Sequence, residues 1–281
     1  MAKVISFFNN KGGVGKTTTT VNLASLMAMD NKKVLVFGVD ESGGCTAYLD
    51  DLSATDNDKY LGYGLYELID EGIYHIGDFL KPTRSENIDI IPHNSNLAQV
   101  EDLINQKAKS KRKNALVILK ETLENVQAFK DYDYILIDCS AQANSLIVQN
   151  AIHASDYVII PTFAEYFSVS NLKNAAALIM DINEKTDGET QLLGIVFCNT
   201  ENNSLRDTFI EQVMNSEFSD FLFENIIRKS IAVGKSAAVG RTCVEYSNKS
   251  NTALDYKDLY EEIKERIEYY ENYDDSEDEE E

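Results

Sequence analysis

The 281-residue chain reads as an α/β protein with a doubly wound, mostly parallel sheet flanked by helices. Three observations predict this. Short apolar runs alternate with helix-compatible segments along the whole chain, the pattern of strand–helix–strand units. Several runs are almost wholly apolar, as expected of strands covered on both faces by helices. The side chains able to do chemistry sit at the carboxyl ends of those runs, where open sheets of this kind bind ligands.

The elements follow in order. Val4-Ile5-Ser6-Phe7-Phe8 predicts a strand over 3–8, and a helix follows over 16–29. Val34-Leu35-Val36-Phe37-Gly38-Val39 predicts a strand over 33–39. The polar segment 50–63 reads as a mobile loop before a helix over 64–71. A strand over 88–91 precedes helices over 97–107 and 112–128. Strands over 133–138 and 156–161 are followed by a helix over 168–183, a strand over 192–198 and helices over 205–215 and 253–270. No internal repeat and no linker divides the chain, so residues 1–272 are expected to form one domain and 273–281 a disordered acidic tail.

The most informative stretch joins the first strand to the first helix: Asn9-Asn10-Lys11-Gly12-Gly13-Val14-Gly15-Lys16-Thr17-Thr18-Thr19. Strand, glycine loop, Lys-Thr and helix in that order make a phosphate-binding loop. Glycines let the backbone curl and aim its N–H groups at an anion, and the helix start adds its positive dipole end. Lys16 supplies charge for the outer phosphates, and the Thr17 hydroxyl is a ligand for Mg²⁺. Lys11 stands where the ordinary loop has glycine. A second lysine at that point is suited to a nucleotide held by a facing subunit; a solvated surface lysine is the plainer alternative. Asp138 ends an apolar strand, where a carboxylate suits the Mg²⁺ shell. Asp40 ends a neighbouring strand. For both aspartates the alternative is a cap on the next turn.

The chain resembles the ParA family of partition ATPases, within the wider ParA/MinD group of P-loop NTPases that carry this deviant loop. The likeness continues through Asp40-Glu41-Ser42-Gly43-Gly44-Cys45-Thr46, Ile88-Asp89-Ile90-Ile91-Pro92, Tyr132 to Cys139, Val158-Ile159-Ile160-Pro161 with Glu165 and Tyr166, Leu193 to Val196, and Ile226-Ile227-Arg228. The resemblance implies ATP and Mg²⁺ as cofactors. Gly12, Gly13, Val14, Gly15, Lys16, Thr17 and Thr18 would hold the phosphates, and Thr17 and Asp138 the metal. It implies catalytic roles for Lys11, Lys16 and Asp40, the last orienting the attacking water. It places Asn199 and Arg228 beside the adenine. Glu41 and Ser42 depart from the family's proline and glutamine, and Ser140-Ala141-Gln142 from its Pro-Pro-Ser. These departures bear on hydrolysis rate more than on fold.

Composition narrows the partners. The net charge is −21, yet residues 255–281 hold fourteen acids against three bases. Lys107, Lys109, Lys111, Arg112 and Lys113 form one basic cluster, and Arg228, Lys229, Lys235, Arg241 and Lys249 another. The four cysteines match no metal spacing, so they read as thiols in a reducing cytoplasm. The chain opens directly into a strand, so neither a signal peptide nor an N-terminal helix-turn-helix domain is expected.

Three functions compete. A partition ATPase would form a homodimer with ATP, bind duplex DNA without sequence preference and be released when a centromere-binding, ParB-like adaptor stimulates hydrolysis. It would be cytoplasmic and nucleoid-associated. Lys229, Lys235, Arg241 and Lys249, with Arg206, are its candidate DNA contacts. A membrane-cycling relative of MinD type needs a basic amphipathic last helix, whereas this one is acidic, so no membrane partner is expected. A metabolic relative carrying an iron–sulfur cluster needs paired cysteines. A ParA-like ATPase that positions a cargo other than plasmid or chromosome DNA remains the alternative to partition.

Overall fold

The computed structural model describes residues 2–49, 63–71, 80–165 and 168–278. The loop expected over 50–63 lies outside the described residues except for Tyr63, as do the last three residues of the acidic tail.

Seven strands form one sheet: β1 (Lys3–Phe7), β2 (Val34–Gly38), β3 (Lys81–Pro82), β4 (Ile88–Ile90), β5 (Tyr134–Asp138), β6 (Tyr157–Thr162) and β7 (Gln191–Phe197). Their order is β3-β4-β2-β5-β1-β6-β7, and every neighbouring pair is parallel except β3 with β4. The doubly wound architecture expected from the sequence is therefore present.

The continuous apolar runs have a simple cause. Side chains alternate across a strand. Ile5 and Phe7 of β1 enter one core while Val4 and Phe8 enter the other. In β5, Tyr134 and Leu136 face the first of these cores and Ile135 and Ile137 the second. Helices α1 (Lys16–Met29) and α2 (Gly44–Leu49) lie on one face. The other face is covered by α3 (Leu65–Glu71), α4 (Val100–Lys111), α5 (Ile118–Asn125), α6 (Leu146–His153) and α7 (Ser168–Thr186). Beyond β7 come α8 (Ser204–Met214), α9 (Ile231–Ala238), α10 (Cys243–Tyr246) and the long α11 (Asn251–Asp278).

The expected helix over 97–107 is split into a 3₁₀ turn, Ser95–Gln99, and α4. Arg112, with φ 55°, closes α4 in the left-handed region, which breaks the helix expected over 112–128. That span instead holds a 3₁₀ turn at Ala115–Val117, capped by Asn114, followed by α5. Helices α2, α6, α9 and α10 and strand β3 are additions to the sequence reading. α11 runs to Asp278, so the backbone of the segment expected to be a disordered tail is helical through that residue.

Registers Phe7↔Asp138 and Gly38↔Asp138 bring the ends of β1, β2 and β5 together. The loops that leave those ends build the site.

Candidate functional site: a phosphate-binding loop and its metal pocket

The loop is pinned before it curls. Asn9 is fully buried; its Nδ2 donates to Pro161 O at 2.8 Å and its Oδ1 accepts from Lys11 N at 3.0 Å. Gly13 and Gly15 have φ 76° and 98°, a region that disfavours a Cβ. At Gly15 space is short as well: a Cβ would lie 3.3 Å from Cys198 Cβ. Gly12 and Gly13 are exposed, and a Cβ on either meets nothing within 4 Å, so their open side faces the mouth of the loop. Val14 is buried and anchors the curl from below.

Lys16 opens α1 and is 8% exposed. Its Nζ donates to Lys11 O at 3.1 Å and Asn9 O at 3.3 Å, so the ammonium lies across the loop. Burial lowers its pKa, against the pull of Asp138. Two acceptors leave one donor unused, and a phosphate oxygen is a better partner than either carbonyl.

Asp138 is 1% exposed. Its Oδ2 accepts from Thr17 Oγ1 at 2.6 Å and from Cys45 Sγ at 3.5 Å. Its Oδ1 is buried with no partner. Burial pushes the carboxyl up to about 6. A buried carboxylate with one orphaned oxygen, facing a helix-start hydroxyl, is the fit expected for a hard divalent cation. Among the described residues no cluster of three or more His, Cys, Asp or Glu could hold a metal. Mg²⁺ suits Thr17 and Asp138, since it keeps waters and phosphates in its shell and takes only one or two protein ligands.

Asp40 lies two residues past β2, half-buried at the mouth of the same pocket. Its Oδ1 accepts from Ser42 N at 2.9 Å and its carbonyl from Gly43 N at 3.1 Å, so it caps the turn into α2. Its charge reaches Lys16 and Asp138. A Cβ on Gly44 would lie 2.8 Å from Thr17 Cγ2, so this turn closes directly onto Thr17. The half-buried Thr18 offers its carbonyl to Asn22 Nδ2 at 2.7 Å.

Lys11 points away from its own loop. Its ammonium pairs with Glu165 and lies 5.7 Å from the centroid of Phe163. Glu165 lines a cavity of about 300 Å³ together with Asn199, Arg206 and Lys229. Asn199 sits there in the left-handed region, φ 53°. Arg228 does not line it. Its Nε donates to both Asp255 carboxylate oxygens at 3.0 Å and its N–H to Oδ2 at 2.9 Å, which ties the segment after β7 to α11. Lys229 stands at the cavity in its place.

The basic residues divide as well. Lys229 pairs with Glu201 at 2.6 Å and Arg206 with Asp207 at 2.5 Å. In the other cluster Lys107 is held by Asp70, and Lys111 and Lys113 share Glu121. Lys235, Arg241 and Lys249 are exposed and hold no ion pair among the described residues, and the same is true of Lys109 and Arg112 in the other cluster.

Sequence reasoning missed three participants. Asn9 pins the loop, Cys198 backs Gly15, and Cys45 touches Asp138. The last two contacts join parts of the chain far apart in sequence. Asn9 adjoins the motif and could have been questioned there.

Comparison with known proteins agrees with this geometry. Residues 2–192 match the family model described as an AAA domain. Sporulation initiation inhibitor protein Soj of Bacillus subtilis (strain 168) is 29% identical over 264 residues, which cover 94% of this chain and 98% of that protein. Chromosome partitioning protein ParA of Caulobacter vibrioides is 26% identical over 261 residues, with 93% of each chain covered. Among solved structures, a putative plasmid partition protein from Borrelia burgdorferi B31, bound to AMPPNP, superposes with a TM-score of 0.76 at 22% identity, over 95% of this chain and all of the other. Apo McdA of Cyanothece superposes with a TM-score of 0.75 at 21% identity and equal coverage.

Proposed function

The chain belongs to the AAA-domain family through residues 2–192, and within it to the ParA group of ATPases; from that premise we propose that it is a partition ATPase whose ATP-bound dimer holds duplex DNA without sequence preference. Hydrolysis, stimulated by a centromere-binding adaptor, separates the dimer and releases the DNA. The protein would then work on the nucleoid, in the cytoplasm.

The loop N–H groups from Gly12 to Thr17 bind the phosphates, and Lys16 exchanges the carbonyls of Asn9 and Lys11 for phosphate oxygens. Mg²⁺, held by Thr17 Oγ1 and the Asp138 carboxylate, would neutralise charge on the outer phosphates. Asp40 orients the attacking water from the mouth of the pocket, and Lys11 leaves Glu165 to reach the partner subunit's phosphates. Catalysis of this kind is positioning plus charge stabilisation, so a slow intrinsic rate raised by a partner is physically reasonable.

The observation that carries the DNA reading is the trio Lys235, Arg241 and Lys249, which no acid neutralises within the described residues. Counting this set alone, three cations per subunit make six in a dimer. The slope of log affinity against log salt should then be about −5 for the dimer and about −3 for the monomer. The test is a salt titration of binding to random duplex DNA, with ATP and with ADP. Steep, ATP-dependent binding that weakens on Lys235→Glu and Arg241→Glu supports the reading. Equal weak binding in both states overturns it and leaves a positioning ATPase with a cargo other than DNA.

A further inference from the structure

The outer edge of the sheet carries a second built surface. The segment after α8 runs along β7: Phe223 N donates to Ile195 O at 2.9 Å and Ile227 N to Phe197 O at 2.8 Å. Between this segment, α8 and α11 lies an open groove of about 1200 Å³. It shares no residue with the cavity beside Lys11.

Its walls are fixed from within. Glu262 accepts from Glu224 N at 2.9 Å and from Asn225 N and Nδ2 at 3.3 and 3.1 Å. Arg266 donates to the carbonyls of Leu193, Phe221 and Leu222 and lies 4.2 Å from the centroid of Phe223. Among the described residues Arg266 is the one basic residue on the groove, and it is spent on this bracing.

Apart from Ser219 and Asn225, the rest of the described lining is acidic or apolar. Asp220, Glu224, Asp258, Glu261 and Glu265 all line the groove and are exposed. Only Glu261 has a cation, Lys264 at 2.9 Å, in an ion pair among the described residues. Spacings of three and four residues place Asp258, Glu261, Glu262 and Glu265 side by side on α11, where like charges repel. The apolar part is as unusual. Met214 is 59% exposed and Tyr269 is 66% exposed, and both sit on this groove. Methionine and tyrosine held in water beside uncompensated acids are the composition of a docking surface.

We propose that this groove receives a basic, amphipathic helix of another protein, with its apolar stripe on Met214 and Tyr269 and its cations on Asp258, Glu261 and Glu265. Charge complementarity commits the occupant to a polycation, and the exposed apolar pair to one with a hydrophobic face. The acids and Tyr269 span eleven residues of α11, roughly 16 Å, so about three turns of the incoming helix are engaged. Nucleic acid and anionic lipid are repelled. The inference does not rest on the partition reading, because the groove stands apart from the nucleotide site.

The test uses the full chain and a fluorescent synthetic helix of about twelve residues, leucine on one face and lysine and arginine on the other. Its scrambled isomer and spermidine serve as competitors. At physiological salt the amphipathic peptide should bind at least about tenfold more tightly than the scramble. Met214→Ser with Tyr269→Ser, and separately Asp258→Lys with Glu265→Lys, should each weaken binding about tenfold or more. Reversal of Glu124 and Glu184, on the other face of the sheet, should change it less than about twofold. Hydrogen exchange should slow at 214–226 and 254–270 when the peptide is bound. Equal binding of the scramble, full displacement by spermidine, or equal loss in the Glu124 and Glu184 variant would each overturn the proposal. Unchanged ATP binding in the groove variants checks their folding and keeps failure here separate from failure of the nucleotide site.

Discussion

In the proposed switch Lys11 is the residue on which dimerisation turns, and its place in this structure sets a measurable threshold. It is held by Glu165, with side-chain exposures of 37% and 31%. To reach a nucleotide on a facing subunit it must leave that carboxylate. Glu165→Gln keeps the size and the backbone N–H donated to Ser168 Oγ at 3.0 Å, and removes only the charge. Ion pairs this open to water contribute about 0.2–1 kcal/mol. Each dimer breaks two of them, so the variant should dimerise with about 0.4–2 kcal/mol less opposition, a dissociation constant lower by roughly 2- to 30-fold. Sedimentation equilibrium with ATP reads this directly, in an Asp40→Ala background so that slow hydrolysis holds the dimer. Lys11→Ala in the same background should stay monomeric, with or without Glu165→Gln. Weaker dimerisation of Glu165→Gln refutes the reasoning, because Glu165 would then be a partner in the dimer and not a restraint in the monomer. Normal dimerisation of Lys11→Ala refutes it more deeply.

Other outcomes follow from the same site. Gly15→Ala places a Cβ at φ 98° and 3.3 Å from Cys198, so it should lose roughly 1–3 kcal/mol by urea unfolding, whereas Gly12→Ala, with open space around it, should lose less than about 1. Asp138 has a folded-state pKa near 6, above its unfolded value of 3.8, so its ionisation costs stability progressively as pH rises through that window and fully above it. Asp138→Asn should therefore raise the melting temperature of the ligand-free protein at pH values above 6, with the gain shrinking below that pKa, while Mg²⁺-dependent ATP binding is lost. The sign of the melting shift at two pH values is the check. Arg228→Ala leaves Asp255, 7% exposed, without its cation, and should destabilise the fold by about 1–3 kcal/mol. Arg228→Lys should recover only part of this, since the two-atom fork onto Asp255 is lost.

What the sequence made legible was whatever a local pattern could carry. Helix α1 matches its expected bounds because the loop glycines and Lys16 fix its start. Strands β1, β2, β5, β6 and β7 end within one residue of the readings, since apolar runs buried on both faces leave little latitude. Asp138 reaches the loop because its strand lies beside β1 in register with Phe7. The shorter elements escaped for physical reasons. α2 and α10 are six and four residues long, too short for a helical period to register. β3 has two residues, one of them Pro82, and survives only as an antiparallel edge. α9 carries Gly234 and leaves Ile231 79% exposed, so it lacks the apolar stripe by which helices are recognised. Arg228 sits at the expected place in the chain but turns to Asp255 on α11, a choice made by a residue twenty-seven positions away.

The charge of the chain gives the proposed switch its physical sense. A subunit with a net charge of −21 is repelled by DNA at long range, and Lys235, Arg241 and Lys249 do not reverse that. The excess is not spread evenly, for over half of it lies after residue 254. With α11 and its groove as the repelled face, the proposed approach to a duplex is one in which Lys235, Arg241 and Lys249 lead. In the proposed switch one copy would gain too few phosphate contacts to hold at physiological salt, and two copies would double the number while fixing their spacing. An acidic chain with a small free basic set is thus better suited to dimer-gated binding than a basic chain, which would stay on DNA whatever its nucleotide.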